Sequence, residues 1–218
     1  MLSPSNEWGP LPPHAAPMHR RQRGRGRWLE RVLLGVAAVC LGYYAYVTAE
    51  AYAYQAYETR ELDAILHSAP VSPPDVMRLA TRHVEPKSGS AIGRIDIPRL
   101  GVSAVVRAGS DARTLRLAVG HIPGTALPGE RGNVGLAGHR DTFFRQLRNI
   151  RPDDVITIVT AEGTFAYRVE RTTIVNPADM WVLDPTDRGV LTLVTCYPFS
   201  YVGSAPQRFV VRARLESL

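Results

Sequence analysis

Two patterns of apolar residues divide this chain. Residues 32–49 run without a charge and are apolar on every side, with Val32, Leu33, Leu34, Val36, Val39, Leu41 and Val47 among them. Crossing the hydrocarbon of a bilayer takes about 20 such residues, so the run predicts a transmembrane helix. From Ala91 the pattern changes to short β-branched runs separated by turn residues: 92–97, 102–106, 134–137, 155–160, 164–175, 190–196 and 207–215. Runs of this kind predict a mostly β domain of seven to eight strands, a barrel or a sandwich, with little helix. One brief helix interrupts them, with Asp141 as its cap, Phe143, Phe144, Leu147 and Ile150 on its inner face, and Pro152 ending it.

Between the two patterns, residues 52–66 read as helix that extends the anchor, and the prolines of residues 69–74 break it. A short amphipathic piece at 75–83 leads to residues 85–90, which have linker composition. The organisation is therefore a basic disordered tail (1–31), a membrane anchor (32–49), a helical stalk and linker (50–90) and a β domain (91–218).

Charge sharpens this division. The formal net charge is +6, but residues 1–31 hold six arginines against Glu7 and Glu30, a net of +4, which leaves only +2 for all that follows. A β domain with so little net charge cannot grip a phosphate backbone, and a nucleic-acid function is excluded on that ground. Arginines on the N-terminal flank of the apolar run hold that end in the cytoplasm, which sends the β domain outside. Tyr43, Tyr44 and Tyr46 then lie at the far interface. The competing reading is a cleaved signal peptide, because Ala49-Glu50-Ala51 has the small-x-small form of a processing site. The apolar run exceeds the roughly 7–15 residues of a signal core, which favours a retained anchor.

The chemistry centres on cysteine. Cys40 lies in the apolar run and Cys196 far downstream, so the exported part has no partner for an internal disulfide. A lone thiol in an oxidising compartment is either deeply buried or kept for its reactivity. In residues 190–196, Val190, Thr192, Val194 and Cys196 share one face of a strand, and Pro198 stops the ladder just beyond. If the next strand, from Gln207, pairs with it as a hairpin, Cys196 comes beside Arg208, whose fork of donors suits a carbonyl or an oxyanion. The plain alternative makes Arg208, Arg212 and Arg214 a solvated row. A thiol with a reference pKa of about 8.5 also needs a base or an imidazolium neighbour. His139, just after a short strand, and His121, in a loop, are the histidines beyond the linker.

Three segments are similar to those of one family, the sortases. Thr192-Leu193-Val194-Thr195-Cys196 resembles their TLxTC signature, Leu136-Ala137-Gly138-His139-Arg140-Asp141 their histidine segment, and Ala205-Pro206-Gln207-Arg208-Phe209-Val210-Val211 their arginine strand. The resemblance covers about residues 91–215, and the stretch from Cys196 to Arg208 looks most like class D. It implies a closed β-barrel with Cys196 as nucleophile, His139 as acid/base and Arg208 as electrophilic stabiliser. Gly120-His121-Ile122-Pro123-Gly124-Thr125 also matches a recurrent segment, which marks His121 as a substrate-side contact, together with Thr195 and Tyr197 beside the nucleophile. Implied partners are exported proteins carrying a C-terminal sorting signal similar to LPxTG, and an amine acceptor, either a peptidoglycan cross-bridge or a pilin lysine. No cofactor is implied, and no carboxylate cluster matches the calcium sites of some members, so no metal is expected. Two alternatives stay open: a secreted cysteine hydrolase on the same scaffold, and a non-catalytic membrane-tethered β domain.

Overall fold

The computed structural model describes residues 23–68 and 86–216. The expectations for residues 1–22 of the tail, for the proline break and for the amphipathic piece at 75–83 lie outside the described residues. The chain divides into two compact units between Tyr46 and Val47.

Helix α1 spans Arg23–Ser68. It begins inside the stretch expected to be a disordered tail, running into the apolar segment through four arginines and despite Gly24 and Gly26. Its segment Arg27–Glu50 is long and apolar enough to cross a membrane, with 24 residues, or about 36 Å at 1.5 Å per residue. In the first unit Trp28, Leu33, Val39, Leu41 and Tyr44 are all exposed around the helix. A helix apolar on all sides suits a membrane span.

In the second unit eight strands close into a barrel. They are β1 (Ala91–Ile97), β2 (Val102–Ala108), β3 (Val119–His121), β4 (Gly132–Ala137), β5 (Val155–Thr160), β6 (Gly163–Val175), β7 (Gly189–Tyr197) and β8 (Gln207–Leu215). Their order is β1-β2-β3-β4-β7-β8-β6-β5, with β5 pairing back to β1. The seven runs expected to be strands all appear. The eighth, β3, has only three residues, too few for an alternation to show, and exists because β2 pairs it in parallel and β4 pairs it antiparallel. The parallel step from β2 to β3 is carried by a helix the apolar pattern does not reveal, α2 (Ala112–Leu117), whose N-cap Asp111 accepts from the Arg113 and Thr114 amides.

The helix expected after Asp141 is a shorter 3-10 turn, Arg145–Asn149, and Asp141 does not cap it. The carbonyl of His139 takes the Phe144 amide at 3.1 Å, so the chain makes a tight turn before any helix begins. The inner face is as expected: Phe144 and Leu147 are fully buried, with Phe143 and Ile150 packed alongside. They join Ile95, Leu136, Ile158, Leu191, Leu193 and Val211 in the barrel core.

Two polar ties hold this unit together. The Gln55 amide of α1 donates to the Leu117 carbonyl at 2.7 Å and accepts from the Val105 amide at 2.9 Å, filling the place of one peptide between β2 and the start of β3. Arg99, after β1, forks onto Asp154, before β5, and also donates to the Asn149 carbonyl at 2.7 Å. The hydrogen bond from Arg99 holds the Asp154 carboxyl below its ordinary pKa, against the opposing effect of burial.

Replacing Gln55 with Leu leaves a donor and an acceptor unpaired and costs about 1–3 kcal/mol. In this size range that is roughly 2–10 °C in melting temperature, measured on the full chain in detergent. An unchanged melt would show that the helix does not belong to the barrel. Replacing Asp154 with Asn tests the second tie. A depressed folded-state pKa means stability present above the unfolded value of about 3.9 and lost as pH falls through the folded one. Asp154→Asn therefore melts below the wild type at pH 7, and the difference starts to shrink as pH falls below about 4 and closes as the wild-type carboxyl protonates through its lowered folded-state pKa.

Candidate active site

Two ladders meet at Cys196. Along β7, Leu191 and Leu193 enter the barrel core, while Val190, Thr192, Val194 and Cys196 alternate to the outer face. There Val194 packs against a second buried cluster, Val175, Val182 and Val210. The antiparallel register of β7 and β8 sets Cys196 directly opposite Arg208, a spacing of about 4.5–5.5 Å between Cα atoms. The hairpin inferred from connectivity is present, with that pair at its open end.

On the other side β4 runs parallel to β7 with Ala137 beside Val194. The ladder continues past the strand end, since the Gly138 amide donates to the Val194 carbonyl at 3.1 Å. Thr195 Oγ1 returns a bond to the Gly138 carbonyl at 2.7 Å. His139 comes directly after this last bonded residue, where the chain turns back and the His139 carbonyl accepts from the Phe144 amide. Only glycine fits at 138, because a Cβ there would lie 2.7 Å from the Phe144 ring.

His139 is exposed, and Cys196 and Arg208 are half-buried. Arg208 Nη1 donates to the Gln207 carbonyl at 2.9 Å and the Ala205 carbonyl at 3.2 Å. Its Nε and Nη2 make no hydrogen bond among the described residues, which leaves three N–H groups of the fork for another acceptor. Behind the pair, Phe209 lies 6.2 Å from Tyr197 and 5.3 Å from Phe199, ring centre to ring centre, a stack that backs the sulfur's strand end.

Of the residues singled out in the sequence, Cys196 and Arg208 are paired across β7 and β8, and His139 follows the end of β4, the strand that pairs β7 on its other side. Thr195 lies directly behind them, 2% exposed and bonded to Gly138. Tyr197 is half-buried in the aromatic stack. His121 stands apart from an open cleft: it is 4% exposed, with Nε2 2.8 Å from the Ala126 carbonyl and 3.1 Å from Thr125 Oγ1, inside the turn between β3 and β4. Among the described residues no three His, Cys, Asp or Glu side chains cluster as a metal site.

Two structuring residues escape the sequence reading. Buried Asn133 donates to the Val182 carbonyl at 2.9 Å and the Asp184 carbonyl at 3.1 Å, and accepts from Thr192 at 2.6 Å. It pins the 3-10 turn Met180–Leu183 over the outer face of β4 and β7, with Met180 and Trp181 exposed beside the cluster. Arg140 is 6% exposed and gathers loop carbonyls beyond Cys196. No spacing rule marks either, since an asparagine or arginine next to a strand end is usually solvated. A half-buried thiol paired with a guanidinium that keeps free N–H groups can act as a nucleophile beside an oxyanion donor.

The family model for the sortase domain matches residues 95–216, more than half of the chain. Sortase D of Bacillus subtilis is 36% identical over 128 residues, covering 58% of this chain and 65% of that protein. Sortase SrtE1 of Streptomyces coelicolor is 32% identical over 133 residues, covering 52% of this chain and 37% of that one. The chain thus spans less than two thirds of either relative. Among solved structures, a sortase D5 transpeptidase of Clostridium perfringens matches with a TM-score of 0.61 at 30% identity, over 73% of this chain and 98% of that one. The matched stretch takes in all of the barrel but the first four residues of β1, together with Cys196, Arg208 and His139, and the chain belongs to the sortase family.

Proposed function

We propose that this protein is a membrane-anchored cysteine transpeptidase that cleaves an LPxTG-like sorting signal and joins the released acyl group to an amine at the outer surface of a bacterial plasma membrane. The observation that carries the reading is the register that sets Cys196 opposite Arg208; His139 follows two residues past Ala137, the end of the neighbouring strand β4.

The thiolate of Cys196 attacks the carbonyl of the scissile peptide bond. Arg208 turns its unengaged N–H groups toward the developing oxyanion, which strengthens as the tetrahedral centre forms. Protonated His139 gives its proton to the departing amine as the C–N bond breaks, leaving a thioester on Cys196. An incoming amine attacks that thioester, gives its proton to His139, and releases the thiolate with a new amide bond. The substrates are then exported proteins bearing a C-terminal sorting signal, and the acceptor is a peptidoglycan cross-bridge or a pilin lysine. The Arg27–Glu50 segment supports an anchor with the N-terminus in the cytoplasm, which confines enzyme, substrate and acceptor to one surface and raises their effective concentration.

With a labelled LPxTG-type peptide and excess diglycine, the full chain in detergent is expected to yield mainly the glycine adduct. The free acid as main product would make the protein a hydrolase. A Cys196 inert toward a thiol-directed vinyl sulfone would leave only a tethered binding domain. Cys196→Ala or His139→Ala is expected to lower kcat/KM by about 10³-fold or more. Arg208→Ala is expected to lower it by about 10²–10³-fold, the usual loss for one oxyanion donor.

A further inference from the structure

Arg140 is the residue after His139, yet its side chain belongs to the loop beyond Cys196. It is 6% exposed. Its Nη1 donates to the Pro198 carbonyl at 2.9 Å, and its Nη2 donates to the Tyr201 carbonyl and, at 3.3 Å, to that of Gly203. Its Nε is 3.4 Å from Asp141, an exposed carboxylate. Three carbonyls from one loop therefore converge on a buried cation that cannot lose its proton.

That loop, residues 198–206, connects Cys196 on β7 to Arg208 on β8. It packs little of its own outer surface: Tyr201 is 45% and Val202 94% exposed. Phe199 packs inward against the core at the loop's start, and beyond it the loop carbonyls and their guanidinium hold the exposed part. Further along the same loop, the Ala205 carbonyl receives Arg208 Nη1, as does Gln207 at the start of β8. The path of bonds runs from Arg140 to the loop backbone and from the loop backbone to Arg208.

We infer that Arg140 is a positioning residue for the sortase reaction: by gathering the Pro198, Tyr201 and Gly203 carbonyls it fixes the loop whose far end aims the Arg208 guanidinium. This rests on the proposed role of Arg208. A lysine cannot replace it, because one ammonium at the end of a flexible stem does not reproduce a planar fork. Since Arg140 adjoins His139 in the chain, it also ties the histidine turn to the Cys196–Arg208 loop, so that two segments remote in sequence are held as one rim.

The test is a double-mutant cycle on the full chain in detergent, with Arg140→Met, Arg208→Ala and the double variant. Transpeptidation of a labelled LPxTG-type peptide onto diglycine is followed by mass spectrometry for hours to capture slow variants. Arg140→Met is expected to lower kcat by about 10–100-fold in the wild-type background. In the Arg208→Ala background it is expected to cost less than about 3-fold, because an effect that acts through Arg208 has nothing left to act on. Chymotryptic cleavage after Tyr201 supplies a readout independent of turnover, and it is expected to become faster in Arg140→Met. Arg140→Lys, which keeps charge and length, is expected to recover less than half of the lost rate; it also reads the cycle if the methionine variant melts below the assay temperature.

Equal losses from Arg140→Met with and without Arg208 would overturn the inference, as would unchanged cleavage at Tyr201. A single Arg208→Ala variant as fast as wild type would overturn the role of Arg208 itself, and with it any positioning of that group. The two failures are told apart by that single variant.

Discussion

The register between β7 and β8 is the constraint on which the site depends. Side chains alternate along a strand, so a slip of one residue would turn Cys196 into the barrel core and set it opposite Gln207 or Phe209 instead of Arg208. The register is held from inside, where Leu191, Leu193, Val211 and Ala213 are buried with almost no exposed surface. Their burial fixes the outer face by exclusion. A hydrophobic core thus specifies where a sulfur and a guanidinium meet, with no contact between them needed to set the pairing.

The parallel ladder between β4 and β7 adds the third group by a different route. Parallel neighbours cannot be joined by a tight turn, so β4 reaches β7 only after the chain has run through β5 and β6. The His139 turn and the Cys196 strand end are therefore distant in sequence and held by the Gly138 and Thr195 bonds and by the Phe144 ring under Gly138. Such a rim is only as firm as the loops that leave it. Asn133 fastens the loop after β6 from below, and Arg140 fastens the loop after β7 from the side, each by backbone carbonyls that tolerate change in the side chains they carry.

Much of this was legible in the residues. The alternation of Val190, Thr192, Val194 and Cys196 revealed the face that carries the thiol, and hairpin connectivity alone placed Arg208 beside the sulfur. The apolar run revealed the Arg27–Glu50 helix through its lack of charge. What stayed hidden has physical causes. Strand β3 and helix α2 are too short for any period to appear, and both owe their existence to partners distant in sequence. The 3-10 turn at Arg145–Asn149 replaced an expected helix because the His139 carbonyl captured the Phe144 amide first. The clamps of Gln55, Asn133 and Arg140 rest on polar atoms meeting across the fold, which neither composition nor spacing encodes. His121 shows the reverse case: a residue conspicuous in sequence that lies buried in a turn, bonded to Ala126 and Thr125.

The account stands or falls on whether Cys196 carries the acyl group between donor and acceptor. Acid-quenching the full chain during turnover of a labelled sorting peptide, without an amine, and locating the label by peptide mass mapping addresses this most directly. The account predicts a thioester on the fragment containing Cys196 that disappears when diglycine is added before the quench. A label on another residue, or product formed with no covalent adduct at any time, would contradict it.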